Sequence, residues 1–556
     1  RPESFSAIQS ITTALLLSVT RPHTNGMEAD GALRPVCDRR LLWRFGISGD
    51  RPIILVATGV PQGLGLLRSL AQALRVFAWG GVACDLVVVN AEPTSYLMPV
   101  NRDIAALRGR DAADRDGQPG AASTGFYLLR ADELSVAELG TLHALARLRF
   151  NADGRPLAFH VQEWNDQHDA ALSARRAMPG LSVMPSRIVE RSTTSHDGDF
   201  DGDTGEFRFT VSRQSRPQRP WVNVLSNPHF GGQISEAGGG YTWAVNSRLN
   251  QLTGWSNDAV SDPPSEWFLL QNIHTLRTWN VTARDSRDAG TTYRVCHGQG
   301  YSLITHRLDD IDVSATWCVD AELSVKQVRL RMVNRGHKTV RLRVVGMVEW
   351  LLGANRADRG TVSTAHSRQS IVSPTHQSTR DPFAARKALT CLLATQNEQA
   401  AGFGGGTAFF AMESAMVDVV DWTCDRREMI DSQGQIRLPQ QFGGRSGSGL
   451  DPCAALSLVI KIAPGGNLER NFLLGYAADA ETALTLAASA AATPSMQRFE
   501  TSRTQWDALL SKTTVKTPDR LFDALVNRWL IYQTVSCRMW AKAGFYQAGG
   551  ATGFRD

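Results

Sequence analysis

From about residue 206 to residue 478 apolar residues recur at every second position, and no long helical pattern interrupts them. Period-two alternation puts successive side chains on opposite faces of a strand, so that one face can be buried while the other meets water. EFRFTVS (206–212), TYRVCHGQGYSLITHR (292–307), VKQVRLRMVNR (325–335), KTVRLRVVGMVEWLL (338–352), KALTCLLAT (387–395), ALSLVIKIAP (455–464) and ERNFLLGYA (469–477) read as strands separated by Gly, Asn, Asp or Pro turns. So many strands without intervening helices fold as a large antiparallel β-sandwich.

The flanks follow other periods. PIILVAT (52–58) is a β-branched run bounded by Pro and Gly, Leu64, Leu67, Leu70, Leu74 and Phe77 recur at helical spacing, and VACDLVVVN (82–90) is a second buried strand. This is a β-α-β unit, followed by a polar loop (GRDAADRDGQPGAAS, 109–123), a strand at FYLLR (126–130) and a helix opened by a Ser135–Glu138 capping box. Beyond residue 478, AETALTLAASAAA and SMQRFETSRTQWDALLSK are helical; Thr517-Pro518-Asp519 then supplies an N-cap, a Pro at N1 and a first-turn acid to a helix with a Phe522, Leu525, Trp529, Tyr532 stripe. The expected organisation is an α/β region with an N-terminal helix over 1–165, a connecting segment over 166–205, a sandwich over 206–478, a helical linker over 479–516 and a further helical segment over 517–556.

Composition narrows the function classes. Hydrophobic residues at 42% and charged residues at 20% belong to a globular chain, and 556 residues suffice for roughly two to four domains. Lys and Arg are interspersed with Asp and Glu, with a net charge of +5 and no basic run to neutralise phosphates, so nucleic acid is not an expected partner. The eight Cys (Cys37, Cys84, Cys296, Cys318, Cys391, Cys424, Cys453, Cys537) include no C-x-x-C pair and read as buried thiols in a reducing compartment. No window of about 18 apolar residues spans a membrane, and ITTALLLSV (11–19) reads as a packed helix, not a signal sequence. A chain beginning at Arg1, with its first Met at Met27, and ending on KAGFYQAGGATGFRD is expected to be a piece of a longer protein.

Several motifs have plain structural readings. The glycines of ATGVPQGLGLL (57–67) fit neither a dinucleotide fingerprint nor a P-loop, and a tight strand-to-helix turn is expected. HDGDFDGDTGEFR (196–208) opens like a calcium loop but has Arg208 where a bidentate Glu is required, so a solvated turn is expected. No metal spacing appears among the twelve His, and His297 and His306 read as structural. The densest stretch is residues 227–266. Gly238, Gly239 and Gly240 permit a sharp excursion, after which Tyr241, Trp243, Asn246, Arg248 and Trp255, with Ser256, Asn257 and Asp258, supply stacking faces and polar groups. Two readings stand here: a sugar-binding loop, or an internally hydrogen-bonded loop packed on a neighbouring domain.

GGGYTWAVNSRLNQLTGWSNDAVSDPPSE (238–266), YRVCHGQGY (293–301), GMVEWLLG (346–353), GRSGSGLDPCAAL (444–456) and FYQAGGATGFRD (545–556), in this order, resemble the glycoside hydrolase family 94 portion of cyclic β-1,2-glucan synthases (NdvB/ChvB type). The segment is similar, more distantly, to β-1,2-oligoglucan, cellobiose and chitobiose phosphorylases. RLLWRFGISGDRPIILV (40–56) resembles the segment that precedes this portion in the synthases and oligoglucan phosphorylases.

The resemblance implies a β-sandwich, a helical linker and the truncated start of an (α/α)6 barrel over 517–556. It implies inverting phosphorolysis of β-1,2-glucan to α-glucose 1-phosphate, with inorganic phosphate as co-substrate and no other cofactor or metal. Asp556 would help hold the donor sugar with Arg555 beside it, while Tyr241, Trp243, Asn246, Arg248 and Trp255 are the remaining substrate-binding candidates. The general acid and the phosphate ligands are expected beyond Asp556, so none of the 556 residues is assigned a catalytic role and the chain alone is expected to be inactive. The Arg that some members carry six residues before the GFRD aspartate is Gly550 here, which argues against cellobiose-type donor contacts. β-Glucan oligosaccharides are the implied partners, and a homodimer is among the assemblies the resemblance allows. The segment itself is expected to be a soluble cytoplasmic portion without membrane contact, in a parent that the family allows to be anchored in an inner membrane. The alternative function is a carbohydrate-binding or scaffolding sandwich without catalysis of its own.

Overall fold

The computed structural model describes residues 2–17, 37–115, 122–177, 183–185, 196–212, 214–284, 291–372, 386–398, 403, 405–431 and 434–541. The chain divides into two compact units, Arg1–Pro179 with Gly447–Asp451, and Gly180–Ser446 with Pro452–Asp556.

The first unit is α/β. Its elements are α1 (Pro2–Leu17), β1 (Ile53–Thr58), α2 (Leu64–Trp79), β2 (Cys84–Asn90), α3 (Pro99–Arg115), β3 (Thr124–Arg130), α4 (Val136–Leu145), β4 (Ala146–Asn151) and α5 (Leu157–Ala177). The strands form a parallel sheet in the order β3-β2-β1-β4. α2 buries Leu66, Leu67, Leu70, Leu74 and Phe77 against it, and Ile8, Ile11 and Leu15 of α1 join the same core. Ser135 and Glu138 form the expected capping box at the start of α4, and Arg44 Nε donates to Glu138 Oε1 at 2.6 Å. The glycine-rich turn after β1 is a close-packing device, because a Cβ on Gly63 would come within 2.4 Å of the Ala152 carbonyl oxygen. The expected polar loop at 109–123 is in part helix: α3 continues to Arg115, anchored through buried Val100 and Ile104. The expected connecting segment at 166–205 likewise begins inside α5.

The second unit is built on two large sheets. One has nine strands, on a path from Thr278–Asn280 through Glu266–Asn272, Val340–Gly353, Gln251–Thr253, Thr242–Ala244 and Phe230–Ser235 to Val222–Ser226; Pro452–Ile462 and Asp421–Asp425 pair beside Val340–Gly353. The other has ten strands, running from Val362–Val372 to Gly198–Phe200 with Val325–Asn334 and Asn467–Ala477 at its centre. Their facing sides meet at Phe268 of the first sheet and at Trp317, Phe410 and Phe472 of the second, with Phe268 and Phe472 centroids 5.4 Å apart. Gly346 admits this contact, since a Cβ there would lie 2.5 Å from Phe472 Cε1. The stretch 227–266, expected as loop, carries three of these strands, at 230–235, 242–244 and 251–253. Their shortness, three residues in two cases, is why alternation does not reveal them.

Helices Ala480–Ala492 and Ser495–Leu510 follow the sandwich, the former burying Ala483, Ala487, Ala490 and Ala491 on the ten-stranded sheet. The last helical run starts two positions later than Thr517-Pro518-Asp519 suggests. Asp519, not Thr517, is the N-cap, accepting from Leu521 N and Phe522 N. Trp529 and Tyr532 are buried as expected, but Phe522 and Leu525 are exposed. Wide π turns at Leu525–Trp529 and Thr534–Trp540 cause the difference, because each inserts residues that rotate the buried face away from a 3.6-residue stripe. Among the described residues no helix is long and apolar enough to cross a membrane.

Candidate functional site

The stretch 238–265 is held from both sides. Gly238 (φ +81°) and Gly240 (φ +134°) take conformations that L side chains rarely adopt, and Gly239 leaves room for Asp262, whose Oδ2 accepts from Ser235 Oγ at 2.6 Å. Asp258 Oδ1 accepts from Val260 N and Ser261 N, closing the outer turn. Val245, a β-branched residue at φ +65°, is strained next to Asn246, whose Oδ1 accepts from Arg248 N at 3.0 Å and Leu249 N at 2.9 Å.

These constraints sort the sequence candidates. Tyr241 and Trp243 are 2% and 3% exposed and pack with Ala541 and Val224. They present no stacking face to solvent, so their contribution is to hold the loop on the helical run. Tyr241 stacks on Trp255 with centroids 5.4 Å apart and planes 6° from parallel, and Trp255 remains half-buried. Burial raises the Tyr241 phenol well above its ordinary range, which keeps it neutral. Asn246 is committed to its turn, whereas Arg248, Ser256, Asn257 and Asp258 are exposed. Arg555 and Asp556 lie outside the described residues.

The loop belongs to a seam between sandwich and helices. Ser247 Oγ donates to the Ala541 carbonyl, Tyr532 OH to Val224 O at 2.7 Å, and Trp529 Nε1 to Gly205 O. Trp506, Leu510, Trp529 and Tyr532 form the apolar centre of that seam. Asn223 Nδ2 donates to the carbonyls of Gly298 and Tyr301, each at 2.8 Å, and so ties the HGQGY hairpin to the same place. His297 lies inside it. Burial pushes its pKa down to about 4, so that the neutral ring donates from Nε2 to Trp221 O at 3.2 Å and accepts from Ser302 Oγ at Nδ1.

In the 196–208 loop, Asp201 accepts from Asp203 N and Thr204 N and pairs with Arg208 Nη1 at 2.8 Å. Among the described residues no group of three or more His, Cys, Asp or Glu side chains is placed to hold a metal ion.

The glycosyl hydrolase 94 supersandwich model matches residues 205–493, and the glycosyl hydrolase 94 superfamily catalytic-domain model matches residues 505–556. The chain belongs to glycosyl hydrolase family 94. The seam described above is therefore where the family's supersandwich meets the matched part of its catalytic domain. The chain is 28% identical over 552 residues to the cyclic beta-(1,2)-glucan synthase NdvB of Rhizobium meliloti (strain 1021), a match covering 95% of this chain and 18% of that one. It is 23% identical over 376 residues to the N,N'-diacetylchitobiose phosphorylase of Vibrio furnissii and 22% identical over 377 residues to that of Vibrio proteolyticus, each match covering 65% of this chain and 43% of the relative. The chain thus spans less than half the length of each of these relatives.

Sequence reasoning passed over one polar feature of this family 94 sandwich, a cleft of ≈ 500 Å³ lined by Trp267, Glu349, Arg356, Arg359 and Arg426. GMVEWLLGANRADRG (346–360) contains three of these residues, but only strand pairing brings them beside Trp267 and Arg426.

Proposed function

We propose that the chain is the supersandwich, with the opening of the catalytic domain, of a phosphorolytic module acting on β-1,2-glucan. Similarity to the cyclic beta-(1,2)-glucan synthase along 95% of the chain is the observation that carries this reading. In such a reaction a phosphate oxygen attacks the anomeric carbon, the C1–O glycosidic bond breaks, and a carboxylic acid gives its proton to the leaving oxygen. The products are α-glucose 1-phosphate and a glucan shortened by one residue. Phosphate takes the place of the base-activated water of an inverting hydrolase, so one acid suffices.

Within this reading Asp556 and Arg555 hold the donor sugar. Trp255, Arg248 and the exposed polar groups of residues 256–258 form a rim that meets the glucan chain, with Asn246 shaping that rim and Tyr241 and Trp243 supporting it from below. Arg248 and Trp255 suit a polyhydroxylated ligand, because an aromatic face covers C–H groups while the guanidinium donates to hydroxyls.

The test is release of α-glucose 1-phosphate from β-1,2-gluco-oligosaccharides and inorganic phosphate by this chain extended to a complete family 94 catalytic domain. Release from β-1,2 but not β-1,4 or β-1,3 substrates supports the reading; no release from any β-glucan overturns it and leaves the sandwich as a binding or scaffolding part.

A further inference from the structure

The cleft beside Trp267 lies wholly within the sandwich unit, and of the residues placed in the glucan rim above only Ser256 is among its lining. Its volume of ≈ 500 Å³ falls within the range of small-molecule sites, roughly 300–1,000 Å³. Gly254, Ser256, Pro263, Pro264 and Ser265 line it together with Arg356, Arg359 and Arg426. Glu349 Oε2 stands 3.4 Å from Arg359 Nη1 and 3.6 Å from Arg426 Nε, and it is the one carboxylate among the lining residues. Three guanidiniums and one carboxylate thus line the cleft. Arg356, also in the lining, makes no ion pair or hydrogen bond among the described residues and is exposed.

The lining also includes a buried donor without an acceptor. Trp267 is 1% exposed, and its Nε1–H has no hydrogen-bond partner among the described residues. Burying a polar N–H without a partner is unfavourable, and native proteins keep few such groups without a reason. Three guanidiniums, an Arg356 without a partner among the described residues and a buried donor without an acceptor, all lining one cleft, describe a ligand site.

We propose that this cleft binds a hexose phosphate. Guanidinium forks match phosphate oxygens in pairs, and three of them around one cleft favour a dianion over a neutral sugar. Glu349 accepts from sugar hydroxyls, which a bare phosphate does not have, and the indole N–H donates to one. The site does not depend on phosphorolysis; it makes the sandwich a sensor of phosphorylated sugar.

Isothermal titration calorimetry on the 556-residue chain with α-glucose 1-phosphate, glucose 6-phosphate, inorganic phosphate and glucose tests this. The expected result is one-to-one binding of at least one hexose phosphate about tenfold tighter than phosphate or glucose. Arg356→Ala and Arg426→Ala are each expected to weaken it about tenfold, the loss of one charge-assisted contact. Trp267→Phe, which keeps the buried ring and removes only the N–H, is expected to weaken it about threefold to tenfold. Arg356 is exposed, so its variant keeps the fold, as circular dichroism will check. No binding of either hexose phosphate overturns the proposal, as does equal affinity for inorganic phosphate, which would mark an anion hole only. Binding that Arg356→Ala and Arg426→Ala leave unchanged also overturns it. Hexose phosphate binding that survives in a module shown to lack phosphorolytic activity separates this inference from the proposed function.

Discussion

The indole of Trp506 occupies the space beside Gly300: a Cβ on that glycine would lie 2.3 Å from Trp506 Cδ1, and the glycine itself sits at φ +85°. The hairpin of the sandwich and the helix that enters the catalytic domain are thus fitted to each other at one residue. Gly300→Ala is expected to destabilise the chain by about 2–4 kcal/mol through strain and overpacking together. Urea unfolding followed by Trp fluorescence measures this. An alanine variant as stable as the parent would show that the helix packs elsewhere.

Two buried histidines give the sandwich an acid limit. His297 has its pKa pushed down to about 4 and His306 to about 3, both by burial, against an ordinary value of 6.5. The unfolded chain binds protons that the folded chain refuses, so stability falls as pH drops below 6.5 and continues falling to about 4. The expected loss is on the order of 3 kcal/mol per histidine over that window. His297→Gln should flatten the slope of stability against pH between 6 and 4; an unchanged slope would mean that His297 is already accessible to protons.

A buried polar cluster crosses between the sheets. Lys326 Nζ lies 2.6 Å from Glu266 Oε2, while Thr242 Oγ1 and Thr253 Oγ1 donate to Glu266 Oε1 at 2.5 and 3.0 Å. Lys326→Met strands the carboxylate and is expected to cost about 3–5 kcal/mol, most of which Glu266→Gln in the same chain should restore. Chemical denaturation of both variants decides it, and additive effects would show that the pair is not coupled.

Trp243 and Trp255 should separate structure from binding. Trp243→Ala removes a buried ring and is expected to cost about 3–5 kcal/mol. Trp255→Ala, at a half-buried position, should cost roughly 1–2 kcal/mol while weakening binding of β-1,2-gluco-oligosaccharides by about tenfold. Calorimetric titration checks the second effect, and undiminished affinity would remove the loop from the proposed glucan rim.

The sequence by itself determined the features whose cause is local. Period-two alternation marked the strands at 325–334, 340–353, 386–396, 452–462 and 467–477, because each is buried over many residues, Val340–Gly353 on both faces for most of its length. The capping box at Ser135 and Glu138 was legible because both partners lie within one turn. α3 was half-hidden because few apolar side chains anchor it and the rest of its face is solvated. The tertiary structure alone decided what Tyr241 and Trp243 do, since the same aromatic residues serve a sugar site or a seam and only the arrival of Ala541 makes them interior. It alone assembled Trp267, Glu349, Arg356, Arg359 and Arg426, which are separated along the chain by up to about 160 residues and meet only through strand pairing and the turns that follow it. Local propensity records what each segment prefers, whereas a site is a coincidence of distant segments, and that coincidence is set by how the sheets pair and pack.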